Sequence, residues 1–439
     1  MPLPDTASRA ATRVLAIYNL AGQVRVRPGL LHPLTGSFNL GRFARHVEAA
    51  GRLLPQVAAL ERIDPALFHI PAERPGARVR RVAACLATTP RHDGLLLLDV
   101  EFDAEPTTDD VADYLYATWR ERARIRVGDV ALLDWLSARL GGIVTEPSGP
   151  LAFGQNVHQC VFAGGRLARR LLRNNKAATP ASPDVVGIVF RGTVAAKRGT
   201  DLDIRRPAAL NNRGQTMVAH GRGVSLIAGW AEPVENAFGV AAAGLVNAAG
   251  VVRRIRLQSL EALEFNESAA DTSASQVRGL ITSLSERLNE LQLDLSFGVE
   301  AYADATLMPE LLVENYHSSL RSVAALPESL ANTSRIVGRV AAVIESRHTM
   351  LGAAAQEYTE RRDKIFATVV AIGSLLALPP ALLLAYFGVN SSNVDPHRSI
   401  FDMGHYGLAY LAAWTPFIAL VALAAIMRRR VPRNRLPPD

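Results

Sequence analysis

The stretch Ile365–Asn390, IFATVVAIGSLLALPPALLLAYFGVN, carries no charged side chain from its first residue to its last. Its first 23 residues, Ile365–Phe387, cover about 35 Å as a helix, enough for a hydrocarbon core of about 30 Å. A second uncharged run of 22 residues, Tyr406–Met427, follows after a short loop. The pair reads as a transmembrane hairpin. Arg361, Arg362 and Lys364 precede the first run; Arg428, Arg429, Arg430, Arg433 and Arg435 follow the second; the loop holds only Arg398. Basic flanks stay on the cytoplasmic side. Both termini are therefore expected in the cytoplasm, with the hairpin in the inner or plasma membrane.

Working back from that hairpin, the helical period extends well before it. Val337, Val340, Ile344, Leu351, Ala354, Tyr358 and Ile365 fall on one stripe, and no proline follows Pro327 until Pro379. This predicts one helix passing from a soluble stalk into the bilayer. Upstream, Leu280, Leu284, Leu288, Leu291 and Leu295 step by three or four residues, a seam for pairing with another helix. The run Glu235–Arg254 is apolar enough to resemble a span, but it is short, rich in alanine and glycine, and interrupted by Asn247. It reads as a packed soluble helix.

The first 145 residues alternate between strand-like and helix-like patterns. Arg13–Leu20, Arg81–Thr88 and Leu95–Phe102 read as buried strands, and Phe38–Leu60 and Val127–Leu140 as amphipathic helices. After a loop around Pro147 and Pro150, Gln155–Gly164 and Asp184–Gly192 are strand-like, and Gly221–Gly223 is placed to turn a hairpin within Thr216–Trp230. Residues 146–232 either extend the first sheet or form a small second domain. The predicted order is an α/β or α+β cytoplasmic domain (1–145), this β-rich stretch (146–232), long cytoplasmic helices including the stalk (233–363), the membrane hairpin (364–430) and a basic tail (431–439).

Composition narrows the function. With 49% hydrophobic and 20% charged residues, there is ample core for a chain of 439 residues. The mean hydropathy of +0.11 suits a soluble chain with a small membrane portion. The formal charge of +7 comes almost wholly from arginine, lysine occurring only at Lys176, Lys197 and Lys364. None of these follows a glycine, so a Walker-type phosphate loop is excluded. Cys85 and Cys160 lack metal-ligand spacing and read as buried thiols of a reducing compartment, and the N-terminus shows no secretory signal. No zinc signature, dinucleotide fingerprint or nucleophile–base set stands out, so no enzyme is expected. The arginines of Arg166–Lys176 could meet nucleic acid or lipid headgroups; a solvated helix face is the plainer reading, and no nucleic-acid partner is expected.

Three acidic groupings invite a cation. Asp99, Glu101 and Asp103 alternate along a strand end, and Glu261, Glu264 and Glu267 share a helix face; solvated surfaces explain both. Asp395 and Asp402 lie in the loop between the spans. Within the first span, Ala367, Ala371, Ser374, Ala381, Ala385 and Gly388 form a stripe of small residues broken only by Leu378. Small side chains permit close helix packing or line a narrow path. Since a two-helix hairpin encloses nothing, a pore would require an oligomer. Read from the residues alone, Gly388 and Asn390 are a helix terminator.

The order of these parts resembles the CorA family of magnesium channels and its zinc-transporting relatives. Gly388-Val389-Asn390 stands where that family has Gly-Met-Asn, between two C-terminal spans, with Pro379 nine residues before the glycine, Tyr386 and Phe387 beside it, and a basic tail. The likeness covers roughly residues 361–430. It implies a homopentamer in the lipid bilayer that conducts divalent cations, Mg²⁺ first among them, either as cargo or as a regulatory ion. Gly388, Val389 and Asn390 would form the selectivity ring, with Lys364, Ala367, Ala371, Ser374, Leu378, Ala381 and Ala385 lining the pore. Mg²⁺ dehydrates reluctantly, so amide and carbonyl oxygens would hold it in its water shell, Asn390 giving a side-chain oxygen and Gly388 a carbonyl.

The chain also departs from the family pattern. Lys364 occupies a position where the family has a pore-facing asparagine, Ala353 one where it has an acidic gating residue, and the loop lacks Met-Pro-Glu. Lys364 must point to headgroups, pair with Glu360 or Asp363, or belong to a protein that does not carry cations. The alternative function is therefore a non-transporting or conditionally leaky sensor or effector, whose cytoplasmic region binds a partner or a small signal.

Overall fold

The computed structural model describes residues 11–27, 29–50, 54–71, 78–103, 105–140, 144–147, 151–173, 181–192, 204–211, 214–268, 274–300, 302, 310–389, 395, 397–399 and 401–430. The chain divides into two compact units, Met1–Glu345 and Ser346–Asp439.

Strands of the first unit are β1 (Arg13–Val26), β2 (Gln56–Ile63), β3 (Phe68–His69), β4 (Val79–Thr88), β5 (Asp93–Phe102), β6 (Arg126–Val127), β7 (Val130–Ala131), β8 (Val144–Pro147), β9 (Ala152–Ala163), β10 (Met217–His220) and β11 (Val224–Ala228). Its helices are α1 (Ala44–Ala49), α2 (Thr108–Arg120), α3 (Leu132–Leu140), α4 (Gly165–Arg173), α5 (Pro183–Val189), α6 (Glu232–Ser268), α7 (Ala274–Leu295) and α8 (Leu311–Val323). A further helix, α9 (Leu326–Val389), gives residues 326–345 to this unit and the remainder to the second, which also holds α10 (Met403–Arg430).

Eight strands make one sheet in the order β10-β11-β9-β1-β5-β4-β2, with β8 pairing the far end of β1. Its ladders are antiparallel apart from β9 with β11. Successive side chains of β1 point to opposite faces, and both faces are covered. Leu15 and Ile17 join Leu95, Leu97, Phe162 and α6 in one core, while Val14, Ala16 and Tyr18 join Leu96, Leu98, Val161 and helices α2 to α5 in the other. Two-sided burial explains why Leu95–Leu98 is an unbroken apolar run rather than an alternating one. Residues 146–232 supply β9, β10 and β11 to this same sheet, the last two as the hairpin expected around Gly221–Gly223.

Four local expectations are corrected. Phe38–Leu60 is not one helix: α1 has six residues, and Gln56–Leu60 already belongs to β2. Gly41 and Pro55 punctuate that segment, and the β-branched, apolar Val57–Leu60 finds an edge on β4. In Val127–Leu140 the helix begins only at Leu132, because Gly128, with φ of +61°, turns β6 back onto β7. Asp184–Gly192 is mostly helical rather than a strand. Ser182 caps α5 through its side chain, Pro183 opens it and Asp184 sits in its first turn, three start signals that outweigh the β-branched content. The segment at Pro147 is not all loop, since β8 pairs Val24 with Pro147 and Val26 with Val144.

The apolar helix α6 lies in the core of the first unit. Residues Glu232–Glu264 are long and apolar enough to cross a membrane, yet 78% of its most apolar window is buried inside the protein. Its small residues let it come close to its neighbours. A Cβ at Gly239 would lie 2.8 Å from Leu15, and one at Gly244 would lie 2.4 Å from the Tyr302 ring. Tyr302 is fixed there by a hydrogen bond to the Ala241 carbonyl (2.9 Å) and by edge contact with His317. The leucine seam packs as expected, Leu284, Leu291 and Leu295 being buried in α7 with Leu288 half-buried. Leu280 has a described backbone only. Val337 and Val340 of α9 are buried too, and Cys85 and Cys160 are free, buried thiols.

In the second unit, Gln356–Ala385 is the other helix long and apolar enough to span a membrane, and only 11% of its most apolar window is buried. Pro379 and Pro380 lie inside it without ending the helix. They deprive the Leu375 and Leu376 carbonyls of their helical partners.

Opposite responses are expected at two helical glycines. Gly244→Val should destabilise the first unit by about 2 kcal/mol or more through collision with Tyr302. Gly338→Ala on α9, where a Cβ meets nothing within 4 Å, should stabilise it by about 0.5–1 kcal/mol. Denaturant melts of the two variants measure both signs.

Candidate functional site

All seven pore-lining candidates, Lys364, Ala367, Ala371, Ser374, Leu378, Ala381 and Ala385, are exposed in the protomer. So are Phe366, Val369, Leu376 and Leu382 on other faces, whereas Pro379 and Leu383 are buried. Lys364 makes no ion pair among the described residues; neighbouring Glu357 pairs with Arg361 instead, at 2.6 Å. Gly388 is not the left-handed terminator expected of it. It is helical, and α9 runs on to Val389. Asn390 lies outside the described residues.

The loop acids are engaged. Arg398 reaches Asp395 at 3.3 Å and Asp402 at 4.0 Å. Asp402 also accepts from the Gly404 amide at 3.0 Å as α10 begins. Asp395 also accepts from the His397 amide at 3.1 Å, and its own amide donates to the Tyr406 hydroxyl at 3.1 Å.

The acids at the end of β5 are taken up by arginine rather than open to solvent or a cation. Arg13, 2% exposed, lies 3.3 Å from Asp99, donates to Asn236 at 2.6 Å and stacks 4.4 Å over the Phe162 ring. Arg81 spans Asp99 and Glu101 at 3.5 and 3.3 Å. Asp103 stands exposed beyond them. Glu261 pairs with Arg287 at 3.0 Å, Glu264 is exposed, and the Glu267 side chain lies outside the described set. Among the described residues, no three His, Cys, Asp or Glu side chains are grouped to hold a metal. On α4, Arg166 pairs with Glu105 and Arg170 with Asp184, which reduces the free basic face there.

Two cavities open beside α6. The smaller, about 350 Å³, contains Arg254. That guanidinium is neutralised by Asp93 and by Asp294, the latter at 2.8 Å. The larger, about 570 Å³, is built where the first half of β9, the end of α2, the residues after α5, the β10–β11 turn and the start of α9 meet. Gln159 ties these parts together. It donates to the Leu115 carbonyl and the Thr118 hydroxyl of α2 (3.0 and 2.8 Å) and accepts from Arg191 Nε at 2.7 Å. Arg191 also donates to the Gly223 carbonyl at 2.8 Å and lies 4.6 Å over the Trp119 ring. A Cβ at Gly223 would fall 2.5 Å from its guanidinium, so a larger residue at the turn would push Arg191 aside. Nothing in the sequence pattern drew attention to Arg191, whose neighbours come from segments far apart in the chain.

One wall of that cavity includes His158, part of a sealed polar network. His158 Nε2 and His220 Nδ1 meet Ser225 Oγ at 2.8 and 2.9 Å, and the Tyr316 hydroxyl donates to the same oxygen at 3.1 Å. The serine can give only one proton, so one imidazole accepts it and the other donates. With the Tyr316 proton committed, the Cys160 thiol at 3.7 Å is the donor to Tyr316. Burial lowers both histidines to about 3, with the charges of His220 and Arg191 adding to the effect at His158. Burial and then Arg321 lower His317 to about 4.

No protein-family model, characterised protein or solved structure matches this chain.

The three neutral histidines set an acid limit on the fold. Their folded pKa values lie below the unfolded value of 6.5. Between the two, only the unfolded chain takes up the proton, so stability falls as pH drops below 6.5, by about 1.4 kcal/mol per pH unit per histidine. Thermal melts of the full chain in detergent from about pH 7.5 to about pH 5 should show this, with a weaker slope in a folded His317→Gln variant. A melting temperature that does not change with pH would contradict it.

Proposed function

We propose that the chain is a subunit of a CorA-like homo-oligomer, a pentamer by the family pattern, that passes divalent cations through the inner or plasma membrane, Mg²⁺ foremost. The reading rests on the joint occurrence of three features on one helix. An uncharged length sufficient for a bilayer carries an exposed stripe of small side chains and ends in Gly388-Val389-Asn390. Several copies are required, because a pore needs more than the two helices of one chain. Five copies of Asn390 and of the Gly388 carbonyl would meet a hydrated ion with neutral oxygens, holding it without stripping its water. The membrane potential supplies the drive, about 4.6 kcal/mol per 100 mV for a divalent cation. Permeation itself requires no nucleotide and no enzymatic step, and no nucleic acid takes part.

Lys364 favours a second reading. Unpaired among the described residues and on the same stripe, five copies near an axis would repel a divalent cation. In this case the membrane part serves as an anchor or a conditional leak, and the cytoplasmic unit answers to a signal.

Reconstituted into liposomes, the wild-type chain should take up Mg²⁺, Asn390→Ala should fall to background, and Lys364→Asn should take up more than wild type. Background flux from well-folded wild-type protein at good density would reject the transport reading. Rescue of a magnesium-transport-deficient cell that depends on Asn390 would reject the second.

A further inference from the structure

The 570 Å³ cavity of the first unit lies within the size range of small-molecule sites, about 300–1,000 Å³. Arg191, Arg222 and Arg256 line it, with Glu328 the one acidic residue on its wall. None of the three arginines forms an ion pair among the described residues. Arg191 reaches only neutral oxygens, those of Gln159 and Gly223. Arg256 reaches Ser329 and Thr333 at 3.2 to 3.3 Å, and its Nε is buried with no partner. A second buried donor, Asn156 Nδ2 on the same wall, is also without an acceptor. Burying such donors unsatisfied costs about 1–3 kcal/mol each.

The contrast with the neighbouring cavity is informative. There the fold supplies two carboxylates to one arginine; here three arginines share a single exposed glutamate. Three guanidinium groups against one carboxylate on its wall make the cavity electropositive, and burial lowers Arg191 to about 10. The backbone is strained at the same place. Among the described residues His92, Arg191 and Ala325 are the non-glycine residues with positive φ, and the latter two, at +56° and +51°, line this cavity. Strain of this kind persists where the surrounding structure imposes it and concentrates at functional positions. The lining also has apolar parts, Leu245, Val246 and Ala249 of α6 and the Trp119 ring on which Arg191 lies.

We propose that this cavity binds a phosphate-bearing small molecule of nucleotide size, its oxyanion on Arg191, Arg222 and Arg256 and its ring or hydrocarbon end against Trp119 and α6. Guanidinium forks match phosphate oxygens in pairs, and more than one fork calls for an anion with more than one charge. Arg256 Nε and Asn156 Nδ2 gain acceptors when the anion enters. The site stands whether or not the membrane part conducts, because its readout is binding.

Calorimetry on the full chain in detergent, with ADP, inorganic pyrophosphate and adenosine as probes, tests this. ADP and pyrophosphate should bind, and adenosine should bind far more weakly than ADP. Arg222→Ala removes an exposed side chain at a turn, and Gly223→Ala displaces Arg191. Each should weaken ADP by about thirtyfold or more. Arg169→Ala, which removes an exposed charge on α4, should leave ADP binding unchanged. The proposal is overturned if neither phosphate binds, if adenosine binds as well as ADP, or if Arg169→Ala weakens ADP as much as Arg222→Ala does.

Discussion

Close approach of α6 to the sheet is the constraint on which the first unit rests. A helix this apolar would ordinarily seek a bilayer or a thick core. Here its glycines and alanines allow it to sit against Leu15 and Tyr302 at distances that a larger side chain would forbid. That proximity closes one of the two cores and draws α7, α8 and the start of α9 onto the same face. It also fixes where cavities can form, since both large ones open along α6 at places where its neighbours do not fill the space.

Charge is handled in two ways inside this unit. At the end of β5 and around Arg254, each buried arginine faces carboxylates, and the pairs offset the cost of taking charges out of water. Around Arg191 the fold meets the arginine with carbonyl, amide and ring only. Such an arrangement leaves a positive charge in a space that faces solvent, and it adds, after burial, to what keeps His158 neutral. The second unit has the opposite character, with almost no charge and little burial along Ile365–Ala385, a surface suited to lipid or to copies of itself.

Legibility in the sequence followed local physics. Buried strands appeared as apolar runs, the leucine seam as a three- and four-residue step, and the Gly221–Gly223 turn as punctuation between two strand patterns. The failures occurred where two local signals competed. Val185, Val186, Ile188 and Val189 looked like a strand until the capping serine and the following proline are given their weight, and the helical stripe assigned to Phe38–Leu60 ignored the edge offered by β4. Gly388 carries a terminator's residue type, but the helix continues through it.

The sequence by itself determined the two uncharged runs, their basic flanks, the Gly-Val-Asn motif and several of the buried strands and long helices, because each of these depends on side chains close together in the chain. Only the tertiary structure decided that the strands after Pro150 belong to the first sheet, and that Arg191, Arg222 and Arg256 share one cavity while Asp99 and Glu101 of β5 are taken up by other arginines. Those outcomes depend on which distant segments meet, and on whether a charge finds its counter-ion there, which no local pattern encodes.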